Sequence, residues 1–366
     1  MKIIQFDKWG FNLSKERPIL ISGPCSAETE EQVLQSCLGA AKQGASILRA
    51  GIWKPRTRPD SFEGVGTIGL PWIKTAGAVT NLPVAIEVAN AKHVDLALKA
   101  GIDIFWIGAR TSVNPFTIQE IAEALRGIDI PVLIKNPVNP DLELWMGAIE
   151  RLYKTGINKM AAIHRGFSVY KPKPYRNLPM WEIPIELRRR IPDIEIICDP
   201  SHICGDRSLL QDISQKALDL EFDGLMIETH IDPDHALSDA AQQLTPENLG
   251  KLLANLIRRD PIGKDPDFLA NIEALRLDID NIDAEVIQLI AKRMEVVNEI
   301  GKYKRENGVT ILQMNRWNEI FDNRVMKTIE AGLSKEFAHA FIQCIHNESI
   351  REQTEVMNKQ LSVKKT

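Results

Sequence analysis

Eight short apolar runs in the first 230 residues each end on a polar or reactive side chain, and stretches with helical spacing separate them. The runs are Ile19–Cys25, Ile47–Arg49, Val84–Glu87, Ile104–Arg110, Val132–Lys135, Met160–Arg165, Ile194–Asp199 and Gly224–Glu228. Eight strand–helix alternations are the count of a (β/α)8 TIM barrel, a fold whose active sites are built at the C-terminal ends of the strands. The predicted class is α/β, with the reactive rim marked by the residue that ends each run.

That rim carries two kinds of chemistry. Cys25 after the first run, His202 after the seventh, Glu228 ending the eighth and Asp239 beyond it are distant in sequence, but a barrel sets strands one, seven and eight side by side. A thiolate, an imidazole and two carboxylates make a mixed soft and hard donor set, suited to Mn²⁺, Fe²⁺, Co²⁺ or Zn²⁺. The plainer reading makes Cys25 a small core residue and Glu228 a salt-bridge partner. A local zinc site at Cys198, His202 and Cys204 has no fourth ligand nearby, and alternation turns Cys198 away from Asp199.

The second set is cationic. Arg49, Lys54, Arg56 and Thr57 fall within nine residues, and Arg110, Lys135, His164 and Arg165 end later runs. Uncompensated cations at one mouth repel, so their convergence predicts substrates that bring several negative charges. Guanidinium forks fit phosphate and carboxylate, and lysine acts as a point charge. The residues alone predict a metal-dependent barrel enzyme acting on small phosphorylated anions.

Bulk properties exclude several classes. The net charge of −4 over 366 residues gives no global field for nucleic acid, and Arg188-Arg189-Arg190 reads as a solvated helix face. The N-terminal residues carry no apolar signal core and no run reaches membrane-spanning length. Five scattered cysteines form no disulfide framework, which with the other features predicts a reducing, cytoplasmic setting.

The texture changes near residue 260. The predicted domains are a barrel over 1–260, a linker over 261–266 rich in Pro and Gly, and an all-helical domain over 267–366. Apolar residues at Ile272, Leu275, Ile279, Ile282, Val286, Leu289, Val296 and Ile300 mark a long amphipathic helix to about Asn307, with Gly308 as its stop. Further helices are predicted around 314–331 and 334–359. A three-helix unit with one very long helix cannot cover its own apolar seam, which predicts a homodimer.

The barrel motifs resemble 3-deoxy-D-arabino-heptulosonate-7-phosphate (DAHP) synthase of the short, type Iβ-like form, across about residues 17–257. The segments are Gly23-Pro-Cys-Ser, Lys54-Pro-Arg-Thr, Ile107-Gly-Ala-Arg, Pro131-Val-Leu-Ile-Lys, His164-Arg-Gly-Phe, Asp199-Pro-Ser-His and Gly224-Leu-Met-Ile-Glu-Thr-His. The resemblance implies Cys25, His202, Glu228 and Asp239 as divalent-metal ligands. It implies Arg49, Lys54, Arg110, Lys135 and Arg165 for phosphoenolpyruvate, and Arg56 and Thr57 for the phosphate of erythrose 4-phosphate; Lys54 is the catalytic candidate, as proton donor to the aldehyde oxygen or as an electrostatic stabiliser. The octulosonate 8-phosphate synthases share this barrel, and Lys-Pro-Arg-Thr favours the four-carbon sugar.

The tail resembles the all-helical, AroQ-type chorismate mutases over about residues 267–357. Arg276, Arg293, Lys304, Arg316, Ser349 and Gln353 match the family's spacing. The resemblance implies that they bind chorismate, with Arg276 acting from a partner subunit and Arg293 and Lys304 catalytic. Arg293 interrupts the apolar seam, where a buried salt bridge is the alternative. Gln313 and Trp317 stand where that family carries acidic residues, which implies a weakened or retuned activity, with Glu319 as a candidate compensation. The domain therefore reads as a working mutase, or as a sensing and dimerisation module through which prephenate inhibits the barrel. No nucleic acid or membrane is expected as a partner.

Overall fold

A computed structural model describes residues 1–11, 13, 18–54, 62–170, 173–260 and 262–358, without the side chains of 315, 316 and 319. The chain divides into two compact units, Met1–Pro261 and Ile262–Thr366.

The first unit is a closed barrel of parallel strands, β1 Ile19–Gly23, β2 Ile47–Ala50, β3 Val84–Val88, β4 Ile104–Ile107, β5 Val132–Lys135, β6 Met160–His164, β7 Glu195–Cys198 and β8 Gly224–Glu228. They pair in chain order, and β8 closes on β1 with Ile19 opposite Gly224 and Gly23 opposite Glu228. Around them lie α1 Glu30–Lys42, α2 Gly69–Thr80, α3 Ala91–Lys99, α4 Pro115–Ala124, α5 Leu142–Lys154, α6 Glu182–Arg190, α7 Pro200–Cys204, α8 Leu210–Asp219 and α9 Pro246–Asn255. Several begin where the sequence supplies a cap. Thr29, Asn90, Asn114, Asp141 and Thr245 each accept a hydrogen bond from a first-turn amide.

Strand alternation sorts the barrel into two apolar layers. Ile21, Ile47, Ala85, Trp106, Leu133, Ile163, Ile197 and Met226 fill the inside, while Leu20, Leu48, Ile86, Ile107, Ile134, Ala162, Cys198 and Leu225 pack outward against the helices. Two residues further along, the same parity carries Arg49, Glu87, Lys135, Arg165, Asp199 and Glu228 to the inner face at the C-terminal end. Cys198 and Cys204 both lie in the outer layer, so the local zinc set is divided by the strand. At the other end Phe6, Trp9 and Leu13 join the inner layer, and the Phe6 amide donates to Glu195 Oε2 at 2.5 Å.

The second unit holds α10 Pro266–Glu306, α11 Met314–Glu330 and α12 Lys335–Asn358. Asp265 caps α10 at the Asp267 amide with Pro266 in the first turn, and Gly308 takes φ +62° just past its end. With 41 residues, α10 is about 60 Å long. It packs on α12 where Gly301 lets Gln353 and Val356 come close, and α11 meets α12 through Val325, Ala338 and Ile342 with Trp317, Phe321 and Phe341. Along α10, Ile279, Ile282, Val286, Leu289 and Val296 are exposed. No helix among the described residues is long and apolar enough to cross a membrane.

Candidate active sites

The barrel cleft is lined by Lys54, Glu87, Gly108, Arg110, Lys135, Arg165, Arg176, His202 and Asp239, among others. Its floor is a ladder of buried ion pairs. Arg49, 1% exposed, donates to Glu228 Oε1 at 3.1 Å and to the Cys25 carbonyl at 3.1 Å, and lies over the Trp106 ring at 4.8 Å. Lys135 donates to Asp199 Oδ2 at 2.8 Å. Burial works against the Asp199 charge, but His202 and Lys135 hold its carboxyl well below the usual range. The cations are therefore partly compensated by the protein's own carboxylates, which the count of cations alone did not show.

Arg165 stands differently. Its amide is held by Asn136 Oδ1 at 2.7 Å and its guanidinium by the neutral Asn177 Oδ1 at 2.9 Å. Burial, with Arg176 and Arg110 nearby, pushes it down to about 10 against the pull of Asp199. A cation so placed gains from an incoming anion. Arg110 is exposed at the rim. Arg56 and Thr57 lie outside the described residues.

The four donor residues gather at the adjoining wall. Cys25 Sγ lies 3.3 Å from Asp239 Oδ2 and 2.9 Å from Lys54 Nζ, which also donates to the Cys25 carbonyl at 3.1 Å. Glu228 Oε1 is 3.8 Å from His202 Nε2, and Glu228 Oε2 accepts from Gln242 at 2.7 Å. Among the described residues no three His, Cys, Asp or Glu side chains stand around one ligand position; the contacts are pairwise. The donor chemistry still fits a divalent metal. His202 Nδ1 is tied to the Asp199 carboxylate at 2.8 Å, leaving Nε2 toward Glu228, the arrangement by which a carboxylate orients a ligating imidazole. Burial and the Glu228 charge push the Cys25 thiol up to about 12, against Lys54, so binding there would release a proton.

Three barrel residues escaped the sequence reading as site members. Glu87 accepts from Trp106 Nε1 at 3.0 Å and lines the cleft, and a Cβ on Gly108 would fall 2.1 Å from its carboxylate, so a larger residue there would displace the Glu87 side chain. Asp199 anchors both Lys135 and His202. Arg176 donates to Asp239 Oδ1 at 3.1 Å and Gln242 Oε1 at 2.8 Å. Strand parity announces the first two, whereas Arg176 sits in a loop with no period to read. Asp239 itself has φ +48°, a left-handed conformation uncommon for a residue with a side chain.

The helical unit has its own pocket of about 360 Å³, lined by Arg293, Lys304, Gln313, Trp317, Arg324, His346, Ser349 and Gln353 with apolar neighbours. Arg293 donates to Ser349 Oγ at 2.8 Å and meets no carboxylate among the described residues. Lys304 donates to the Ile311 carbonyl at 2.5 Å, and the buried Gln353 Oε1 has no hydrogen-bond partner among the described residues. Among the described residues no acidic side chain lines it. Arg276 is exposed, 17 residues before Arg293 on α10, and does not line this pocket. The Arg316 and Glu319 side chains lie outside the described residues. Arg324 and His346 are new members, and Trp317 stacks on His346 with ring centroids 3.4 Å apart.

Known proteins agree with both halves. Residues 9–261 match the DAHP synthetase I family and residues 275–354 match chorismate mutase type II. The chain is 30% identical over 237 residues to the phospho-2-dehydro-3-deoxyheptonate aldolase of Thermotoga maritima, spanning 65% of this chain and 68% of that protein. It is 27% identical over 261 residues to the 2-dehydro-3-deoxyphosphooctonate aldolase of Desulfotalea psychrophila, spanning 66% and 89%. Over 82 residues it is 33% identical to the T-protein of Haemophilus influenzae, 22% of each chain. The crystal structure of the Thermotoga maritima DAHP synthase is similar with a TM-score of 0.58 at 29% identity, covering 64% of this chain and 67% of that one. The chain thus belongs to the DAHP synthetase I family through its barrel and carries a chorismate mutase type II domain in its helical unit.

Proposed function

We propose that the barrel, residues 1–260, condenses phosphoenolpyruvate with erythrose 4-phosphate to give DAHP and phosphate. In this reading residues 261–266 are a linker, and 267–366 rearrange chorismate to prephenate and mediate feedback inhibition of the barrel. The observation that carries the first part is the cleft in which Arg165, Lys135 and Arg110 stand with His202 and Asp239, above the buried Arg49, Cys25 and Glu228. Arg165 and Arg110 hold the phosphate of phosphoenolpyruvate, with Lys135, Arg49 and Lys54 on its carboxylate side, so orientation is fixed before bond formation. Arg56 and Thr57 hold the sugar phosphate. The enol carbon attacks the aldehyde carbon, Lys54 delivers a proton to the oxygen that becomes a hydroxyl, and water adds at C2 before phosphate leaves. Cys25, His202, Glu228 and Asp239 would hold a divalent metal (Mn, Fe, Co or Zn), which when bound supplies Lewis-acid polarisation of the aldehyde.

In the helical pocket Arg293, Lys304, Arg316, Ser349 and Gln353 bind chorismate, with Arg293 and Lys304 catalytic, and Arg276 comes from a second copy. The rearrangement needs a compact conformer and positive charge at the breaking ether, and no nucleophile. The exposed α10 stripe supports pairing of two copies. Leu289→Glu, at a position 66% exposed in the single chain, is expected to convert a dimer to monomer in light scattering.

The test is phosphoenolpyruvate consumption with erythrose 4-phosphate, with Mn²⁺ and then EDTA, alongside chorismate loss. Metal-dependent consumption and chorismate loss are expected. Consumption without chorismate loss makes the helical unit a sensor and dimerisation module. The likeness to octulosonate aldolases makes arabinose 5-phosphate the control, and consumption with it alone would assign the barrel to that chemistry.

A further inference from the structure

Three pocket cations, Arg293, Lys304 and Arg324, come from α10 and α11 with no acidic side chain among the described lining residues. His346 enters from α12 into this field. Its ring lies nearly parallel to the Trp317 indole, 17° between planes. On its own helix the pocket-facing neighbours Ser349 and Gln353 do not titrate. Burial, and the charges of Arg293 and Arg324, lower the proton affinity of the imidazole. While the pocket is empty, those two guanidinium groups oppose a third positive charge beside them.

A dicarboxylate reverses that balance. Its charges neutralise the arginines and present acceptors to the same wall, so an imidazolium becomes favourable where it was opposed. The stacked indole then faces a cation on its π surface, which is itself attractive. We propose that His346 is a ligand-contacting residue of the helical pocket that takes up a proton when a cyclic dicarboxylate binds. It supplies a charge-assisted donor on the wall where Trp317 replaces an acid. The inference rests on reading this pocket as the chorismate and prephenate site.

Binding of prephenate to the full chain, followed by titration calorimetry near pH 7 in two buffers of different ionisation enthalpy, reports the protons exchanged. Net uptake of up to about one proton is expected, with affinity strengthening roughly three- to tenfold from about pH 8 to about pH 6.5. His346→Gln should still bind, without the uptake and with less than about twofold pH dependence. His339→Gln, a histidine against Phe321 and outside the pocket lining, should keep both. The His346 ring resonances of the unsubstituted protein should move from neutral to imidazolium on saturation, a readout needing no variant. Binding without proton uptake, or uptake preserved in His346→Gln, overturns this inference and leaves the mutase reading standing. No binding of prephenate overturns both.

Discussion

In the barrel, Arg49 and Lys135 each meet a buried carboxylate, Glu228 at 3.1 Å and Asp199 at 2.8 Å, whereas in the helical pocket Arg293 meets a hydroxyl and no described lining side chain is acidic. The difference follows from depth. A cation enclosed by strands loses nearly all its water and requires an internal counter-charge. A half-buried arginine on a helix keeps solvent and can wait for a ligand to supply the anion. One site holds its electrostatics ready-made; the other is completed by what binds.

Removing an arginine from each site breaks or sharpens this contrast. Arg49→Met strands Glu228 as a buried unpaired charge, and the barrel transition in calorimetry should lose about 3–5 kcal/mol. Phosphoenolpyruvate consumption should fall by about two to three orders of magnitude. An unchanged transition would mean that the pair contributes nothing net.

Two histidines sharpen it next, His346 in the helical pocket and His164 on the outer face of the barrel. Burial and the Arg293 and Arg324 charges lower the proton affinity of His346, whereas for His164 burial dominates, with Arg165 adding to it. His164 on β6 faces outward into a cage of Phe167, Trp181 and Phe222, and among the described residues neither ring nitrogen makes a well-aligned hydrogen bond. Burial pushes it down to about 3, with too little help from the Pro179 carbonyl to offset it. An unfolded histidine takes its proton near pH 6.5, so between there and about pH 3 the unfolded chain binds more protons. Stability is therefore intact above pH 6.5 and declines as pH falls, by about 2 kcal/mol at pH 5. His164→Leu should flatten that arm of the barrel's melting temperature against pH.

The smallest effect on stability belongs to Arg293→Ala, which leaves no carboxylate behind and should cost about 1 kcal/mol or less. Its effect is on chemistry: chorismate loss should drop about two to three orders of magnitude. Prephenate should no longer slow phosphoenolpyruvate consumption. Persistence of that inhibition would place the effector site elsewhere.

The barrel was legible because a two-residue period says both where a strand runs and which side chains share its inner face. Arg49, Lys135 and Glu228 follow from that rule, and so do Glu87 and Asp199, whose carboxylates carry no motif of their own to mark them as site members. Asp239 and Arg176 lie in irregular segments, where only contacts reveal the pair. On α11 and α12, Trp317, Ile320 and Arg324, and His346, Ser349 and Gln353, recur at helical spacing. Core and pocket faces share that spacing, so His346 and Arg324 could not be separated from packing residues before their neighbours were known. Arg276 matched a motif but sits far along α10 from the pocket its motif describes.

Phe6 and Trp9, packed 4.2 Å apart into the inner layer and tied to Glu195, stopper the barrel at its N-terminal end. A vessel stoppered below is filled and emptied through one mouth. Arg49 and Lys135 lie on its floor while Arg110 and Arg176 stand at the brim. Traffic is then sequential by geometry: the molecule seated deepest must arrive first and leave last, and a crowded brim traps whatever lies beneath it.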